Sequence, residues 1–327
     1  MFDPANRISR EHPVAQDAIV LLKQLWVNIP LYSTHISVPN PVTLSARDVS
    51  VMARGKHDYF ASCKLDGVRQ ILLMGVTENN MDTYAIMIDR SYNMYTVNTS
   101  FIVHDSYFQG TLIDGELVRH NDRLFFVAFD MITAKGMDYS QESYETRIET
   151  LRGVLKEIEI IECECVVKDV VPLKDVNQWR TLLEDTILPS DGLIFMPNST
   201  PVLTGTHKTM YKWKHTNTLD FALHKSDDGE YSLTFTGIDN KEADTRKINL
   251  YLDASTVESI DVDDSKLPII VECACDLQEG TGQSSVMCRI VCRRPDKTIP
   301  NYEKTIVSTL RVIKEKIDME YIIGQCM

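Results

Sequence analysis

The sequence predicts an α+β protein of two domains: a mixed domain over residues 1–220, then a small β-barrel of the OB type over residues 221–327. Three observations carry this reading. The chain has 327 residues, 43% of them hydrophobic, which suffices for two cores of ordinary size. Upstream of residue 220, period-two apolar runs are interspersed with a few segments of helical period. From about Phe221 the texture changes, and five short β runs alternate with polar turns.

The elements follow in chain order. Residues 14–26 read as an amphipathic helix, apolar at 14, 15, 18, 19, 21, 22, 25 and 26. Pro30, Pro39 and Pro41 then keep the chain extended. Residues 58–64 and 70–76 read as strands flanking a turn at Asp66-Gly67. Short strands are expected at 83–89, 94–97, 110–113, 116–119 and 124–129, and a helix at 144–158. Residues 166–172 read as a strand, 175–183 as a helix and 192–196 as a strand after a turn. In the second domain the β runs are 221–224, 231–235, 248–252, 269–275 and 286–292. An acidic loop covers 253–266, and a helix over 303–316 closes the domain.

The net charge is −13. An acidic chain has no broad attraction for duplex nucleic acid, so any nucleic acid it handles is held by a local basic site. The start Met1-Phe2-Asp3-Pro4 lacks the basic residues and apolar run of a secretory signal. No window of about twenty apolar residues offers a membrane span. An intracellular protein with reduced thiols and no membrane partner is expected. Of the eight cysteines, Cys163/Cys165 and Cys273/Cys275 have C-x-C spacing, and Cys288/Cys292 lie four apart. Both C-x-C pairs fall in strand-like runs, and the C-x₂-C spacing of a structural zinc site is missing. Buried free thiols are the expectation.

The chemistry centres on Lys64-Leu65-Asp66-Gly67-Val68-Arg69. On its own this segment would be a hairpin with Asp-Gly at the turn. It would also suit a nucleophilic lysine. Lys64 ends a strand, and the turn brings Arg69 back beside it. A neighbouring cation disfavours the ammonium form and frees the amine lone pair, and the same cation can hold a phosphate or ribose oxygen. In order after it come Asp89-Arg90, Asp114-Gly115-Glu116, Phe129-Asp130, Asp191-Gly192-Leu193-Ile194-Phe195, Lys212-Trp213-Lys214 and Arg294-Pro295-Asp296-Lys297. Singly, Phe129 would be a core residue, Asp191 a turn residue, and Lys212 and Lys214 a solvated strand face. The ordered series gives them a common reading.

That series resembles the covalent nucleotidyltransferase superfamily of ATP-dependent DNA ligases, RNA ligases and mRNA capping guanylyltransferases. Its members use a KxDGxR lysine to form a lysyl-N–NMP intermediate. Further details resemble the capping branch: Asn40-Pro41-Val42-Thr43-Leu44, Met87-Ile88-Asp89-Arg90, the run from Ser190 to Pro197, Leu219-Asp220-Phe221 and Ile270-Val271-Glu272-Cys273. The segment Arg294-Pro295-Asp296-Lys297-Thr298-Ile299-Pro300-Asn301 resembles that branch's RxDKxxPN element. The resemblance spans about residues 39–315. It implies a nucleotidyltransferase domain with ATP-grasp-like antiparallel sheets, followed by an OB-fold.

The resemblance also implies an activity and a set of roles. Lys64 would attack the α-phosphate of GTP, release pyrophosphate and keep GMP. A 5′-diphosphate RNA end would then take the GMP to give a GpppN cap. Mg²⁺ or Mn²⁺ would assist, held by Glu116 and Asp191. Asp66 and Gly67 belong to the nucleotide-binding turn. Arg69 would contact the α-phosphate or ribose region, Arg90 and Glu116 the ribose hydroxyls, Phe129 the guanine face and Lys168 the base. Asp191, Lys212 and Lys214 would serve the reacting phosphate, and Asp220 the γ-phosphate. Arg294, Asp296 and Lys297 of the barrel would orient the leaving pyrophosphate. RNA triphosphatase and cap methyltransferase activities would come from other chains. The compact form resembles capping enzymes of large DNA viruses and unicellular eukaryotes, which places it in the nucleus or, if viral, in the cytoplasm or virion. An ATP-dependent DNA ligase and a retired subunit of a capping complex are the alternative readings.

Overall fold

The computed structural model describes residues 2–26, 29, 35–78, 82–260, 262–278, 285–295 and 297–327. The chain forms two compact units, one of residues 1–42, 51–213 and 325–327 and one of residues 43–50 and 214–324. The expected boundary at 220/221 falls inside a single strand, Thr218–Lys225. The architecture is α+β, as expected.

In the first unit an eight-stranded sheet carries the order Arg7–Ile8, Met94–Val97, Thr83–Asp89, Val68–Val76, Thr111–His120, Arg123–Ala134 and Met137–Asp138, with Glu164–Val167 parallel to Arg123–Ala134. Alternation divides its side chains between two cores. Ile71, Leu73, Ile86 and Ile88 meet Ala15, Ala18 and Leu22 of the helix Pro13–Leu25. Leu72, Met74, Met87 and Ile113 join Tyr144, Ile148 and Leu151 of the helix Tyr144–Val154 on the other face. The first helix starts on Pro13 at N1, with the His12 ring accepting from the Val14 amide. The second is capped by Ser143, which accepts from the Thr146 amide. A five-stranded sheet has the order Val171–Pro172, Tyr59–Leu65, Ser190–Pro197, Thr206–Lys214, Asn40–Thr43.

Several boundaries differ from the sequence reading. Residues 110–113 and 116–119 belong to one strand, Thr111–His120, whose irregularity at Asp114/Gly115 is a bulge against Arg123–Ala134. The helix expected over 144–158 stops at Val154, and Ile158–Ile160 pairs with Thr99–Ile102. The strand expected over 166–172 is two strands in different sheets, Glu164–Val167 and Val171–Pro172. Two helices went unread, Ala46–Arg54 and Met319–Cys326. The first has a capping box in which Ser45 and Asp48 exchange backbone contacts, followed by buried Val49 and Met52 at helical spacing.

In the second unit a six-stranded sheet runs Glu242–Asp244, Tyr231–Thr236, Thr218–Lys225, Ile269–Gln278, Ser285–Arg293, Leu250–Leu252. It curls: Tyr231–Thr236 also packs on Leu250–Leu252 at the far end of the order. Its interior holds Phe221, Leu233, Phe235, Val271, Cys273, Cys288 and Ile306 of the helix Glu303–Glu315. Cys275 and Cys288 face each other across two strands with sulfurs 3.3 Å apart as free thiols. Among the described residues no helix is long and apolar enough to cross a membrane.

One polar feature stands inside the first unit's core. Asp130 and Arg147 are both buried, and Arg147 Nε donates to Asp130 at 2.6 Å. Removing the arginine strands a buried carboxylate, which typically costs about 3–5 kcal/mol. Arg147→Met is therefore expected to destabilise the protein by about 3 kcal/mol in urea unfolding, and adding Asp130→Leu should recover over half of that. An Arg147→Met variant as stable as the parent contradicts this.

Candidate active site

Lys64 lies at the end of Tyr59–Leu65, beside Ser190–Pro197 with Gly192 opposite it. The register shifts between Ser190 and Gly192, leaving Asp191 as the extra residue of a β-bulge. A bulge re-aims the side chain it carries. Here it turns the Asp191 carboxylate onto Lys64, whose Nζ donates to Oδ1 at 2.7 Å. The next strand of that sheet, Thr206–Lys214, carries Lys212 and Lys214 on one face, with Tyr211 and Trp213 buried on the other.

The Asp66-Gly67 turn follows Lys64. The Asp66 side chain is exposed, while its N–H donates to Pro189 O at 2.9 Å. Gly67 is required by space: a Cβ there would lie 2.6 Å from Leu117 O and 2.8 Å from Glu116 Cγ. That close approach lets the Gly67 N–H reach Glu116 Oε1 at 3.3 Å. Burial raises the Glu116 carboxyl above the usual carboxylate range, against the pull of Lys168, Lys64 and Arg69.

Arg69 does not stand as a bare cation beside Lys64. Its Nε donates to Asp114 at 2.9 Å, its Nη2 donates to the same carboxylate, and its Nη1 donates to Pro39 O. Asp114 is buried and braces the guanidinium. Asp114 has no role in the sequence expectations, and a carboxylate next to the apolar run 111–113 is the signal it offers. Arg90 lies near enough to Arg69 and Asp114 to feel both charges, and burial lowers its pKa.

Phe129 is the half-exposed residue in an otherwise buried stretch of its strand. The Arg69 guanidinium lies 5.2 Å from its ring centroid and the Lys168 ammonium 5.3 Å. Lys168 sits where the chain leaves Glu164–Val167 for Val171–Pro172, and its own N–H still extends the ladder to Ala128 O at 2.8 Å. Burial brings its pKa down to about 8, with Glu116 opposing the shift.

The first unit thus brings together Lys64, Gly67, Arg69, Arg90, Glu116, Phe129, Lys168 and Asp191, and it also carries Asp66 and Lys212. Lys214, Asp220, Arg294 and Lys297 belong to the second unit. There Asp220 accepts from Arg294 Nη1 at 3.2 Å and from Lys297 Nζ, and Glu272 accepts from Arg294 at 3.0 Å. Asp296 lies outside the described residues. Glu116 and Asp191 are hard oxygen donors, which suit Mg²⁺ or Mn²⁺. Among the described residues no three His, Cys, Asp or Glu side chains gather as a preformed cage.

Residues 23–216, more than half of the chain, match the family described as mRNA capping enzyme, catalytic domain. The chain belongs to this family. The alpha subunit of the Schizosaccharomyces pombe mRNA-capping enzyme is 27% identical over 212 residues, covering 56% of this chain and 52% of the relative. That of Candida glabrata is 28% identical over 255 residues, covering 66% and 56%. The African swine fever virus mRNA-capping enzyme is 26% identical over 178 residues, covering 51% of this chain and 18% of its own. The chain thus spans about half the length of the fungal capping enzymes. Among solved structures, a mycobacterial DNA ligase D complexed with ATP and MES aligns over 80% of this chain and 96% of its own, at 14% identity and a TM-score of 0.43. A likeness at that level bears on neither activity nor substrate.

The Lys168 environment has a pH signature. Its folded pKa of about 8 lies below the unfolded value of 10.5, so between those values the unfolded chain binds the extra proton. Stability from this group rises as pH climbs through that window and falls as pH drops toward 8. Below pH 8 the charged, buried lysine costs about 3 kcal/mol. Lys168→Met should therefore gain stability relative to the parent at pH 7 and lose about 2 kcal/mol of that advantage by pH 10. Urea unfolding at stepped pH measures it, and a pH-independent difference would refute the assignment.

Proposed function

We propose that this protein is an mRNA guanylyltransferase that forms a covalent Lys64–GMP intermediate from GTP and passes GMP to a 5′-diphosphate RNA end. The observation that carries this reading is the Lys64–Asp191 contact beside a half-exposed Phe129 with Arg69 and Lys168 close to its ring, in a chain of the capping family. Phe129 offers a stacking face for guanine. Lys168 lies close enough to the ring for its ammonium to reach a base oxygen there. Arg90 and Glu116 flank the ribose.

In the first half-reaction the Lys64 amine attacks the α-phosphorus. The N–P bond forms, the bond to the bridging oxygen breaks, and pyrophosphate leaves with that electron pair. Asp191 is the acceptor placed for the lysine's proton. In the second, a terminal oxygen of the RNA diphosphate attacks the same phosphorus, the P–N bond breaks, and the proton returns to the amine. A bound Mg²⁺ or Mn²⁺ would neutralise phosphate charge; Glu116 and Asp191 are the residues to hold it. Lys212 and Lys214 would bind the α-phosphate, and Asp220 would act near the γ-phosphate. Arg294, Asp296 and Lys297 would orient pyrophosphate as the barrel closes and release it as the barrel opens. The fungal relatives carry the name alpha subunit, which supports a further subunit in a capping complex; triphosphatase and methyltransferase activities would be carried by other chains.

Incubation with each α-labelled nucleoside triphosphate and a divalent metal, followed by denaturing electrophoresis, tests the reading. Labelling is expected from GTP and not ATP, and preferential labelling by ATP would move the chain to the ligase branch. Lys64→Ala and Lys64→Arg should both abolish the adduct, because guanidinium is not nucleophilic near neutrality. A labelled Lys64→Ala protein would sink the site assignment. Arg294→Ala or Lys297→Ala should slow adduct formation strongly while leaving GMP transfer from isolated Lys64–GMP to RNA largely intact. If transfer falls as far as adduct formation, the barrel residues also serve the RNA step.

A further inference from the structure

The described side-chain partners of the two barrel cations lie on other strands. Arg294 and Lys297 converge on Asp220, which is 6% exposed and sits on Thr218–Lys225, and Glu272 supplies Arg294 with a second carboxylate. Both cations bond the one carboxylate of Asp220, so where they sit depends on how Asp220 is held. Beyond the strand pairing of Asp220, Asn301 holds both of its backbone polar groups. The side-chain carbonyl of Asn301 accepts the Asp220 N–H at 2.9 Å, and the Asn301 N–H donates to Asp220 O at 2.8 Å. The Asn301 carbonyl also accepts the Thr236 N–H at 3.1 Å. Asn301 therefore staples the end of the segment that begins at Arg294 onto two strands of the barrel. The near end is held separately, by the Arg294 N–H donating to Ile270 O at 2.8 Å.

We propose that Asn301 is a positioning residue for the first half-reaction: by pinning Asp220 it sets where Arg294 and Lys297 present their charge to the leaving pyrophosphate. This rests on the guanylyltransferase reading. Of the three contacts, only the one to the Asp220 N–H uses the Asn301 side chain. Alanine removes it and leaves a half-buried N–H without its acceptor. Aspartate keeps an oxygen at that place, so it can accept the same N–H. The roles of Arg294 and Lys297 are electrostatic and geometric, and a displacement of about 1 Å in such groups can cost roughly a hundredfold in rate.

Single-turnover kinetics on the full chain test this with three proteins: parent, Asn301→Ala and Asn301→Asp. Asn301→Ala is expected to slow Lys64–GMP formation from GTP roughly ten- to hundredfold at saturating GTP, consistent with misplaced cations. Its isolated Lys64–GMP should pass GMP to diphosphate-ended RNA within about threefold of the parent rate, since the displaced cations have no ligand in that step. Pyrophosphate-driven reversal, which needs the same cations, should slow with adduct formation. Asn301→Asp should restore adduct formation to within about threefold. Equal losses in both half-reactions would show a role in folding alone and overturn the proposal, as would parent-like adduct formation in Asn301→Ala or failure of Asn301→Asp to rescue. A parent protein that takes no label from GTP would instead fail the guanylyltransferase reading itself.

Discussion

Strands Tyr59–Leu65 and Ser190–Pro197 run antiparallel with Gly192 opposite Lys64, and the extra residue between Ser190 and Gly192 turns Asp191 onto the lysine. The remaining site residues depend on this pairing. It fixes where Lys64 ends its strand, and so where the Asp66-Gly67 turn begins. The turn must then pass within van der Waals distance of Leu117 O and Glu116 Cγ, which only a residue without Cβ allows. The bulge thereby brings Asp191 to the Lys64 amine, and the glycine brings Glu116 to the turn beside it.

The second constraint is charge in a poorly hydrated interior. Asp114 and Asp130 stand opposite each other on neighbouring strands, both buried. Each is matched by an arginine on its outer side, Arg69 for Asp114 and Arg147 for Asp130. Burial still raises the Asp130 carboxyl above its ordinary value, with Arg147 opposing and Asp114 adding to the rise. This quartet ties the wall of the site to the helix Tyr144–Val154. It also accounts for the orientation of Arg69: the guanidinium is committed to Asp114 and to Pro39 O, and in that position its charge stands over Phe129.

Much of this was legible from residues alone, where the chemistry is local. The apolar runs in 83–89 and 94–97 gave strands that match the structure end to end, because their side chains pack into the two cores on either side of the sheet. The texture change near residue 221 reflects a second core, although the second unit takes in residues 43–50 and 214–324 and its strand Thr218–Lys225 starts ahead of the apolar run. What could not be read depends on partners far away in sequence. Thr111–His120 was split at Asp114-Gly115 because a charged residue and a glycine resemble a turn; their acceptance in a strand requires Arg69 on one neighbour and the Phe126 ring packed where a Cβ would be. The 166–172 run has the pattern of one strand, and nothing local says that Lys168 marks the passage between sheets. The hydrogen bond from Lys64 to Asp191 is set by a bulge that a one-dimensional pattern does not reveal. The helix Ala46–Arg54 had a legible signal in Ser45 and Asp48 that the proline-rich approach obscured.

The central claim is that Lys64 is the covalent attachment point for GMP. Digestion with trypsin after incubation with GTP and metal, followed by tandem mass spectrometry, tests it directly. The account predicts that the GMP mass appears on the peptide running from His57 to Arg69, uncleaved after Lys64 because the modified amine no longer presents a positive charge to the protease. The same mass on Lys168, Lys212 or Lys214, with Lys64 unmodified, would contradict it.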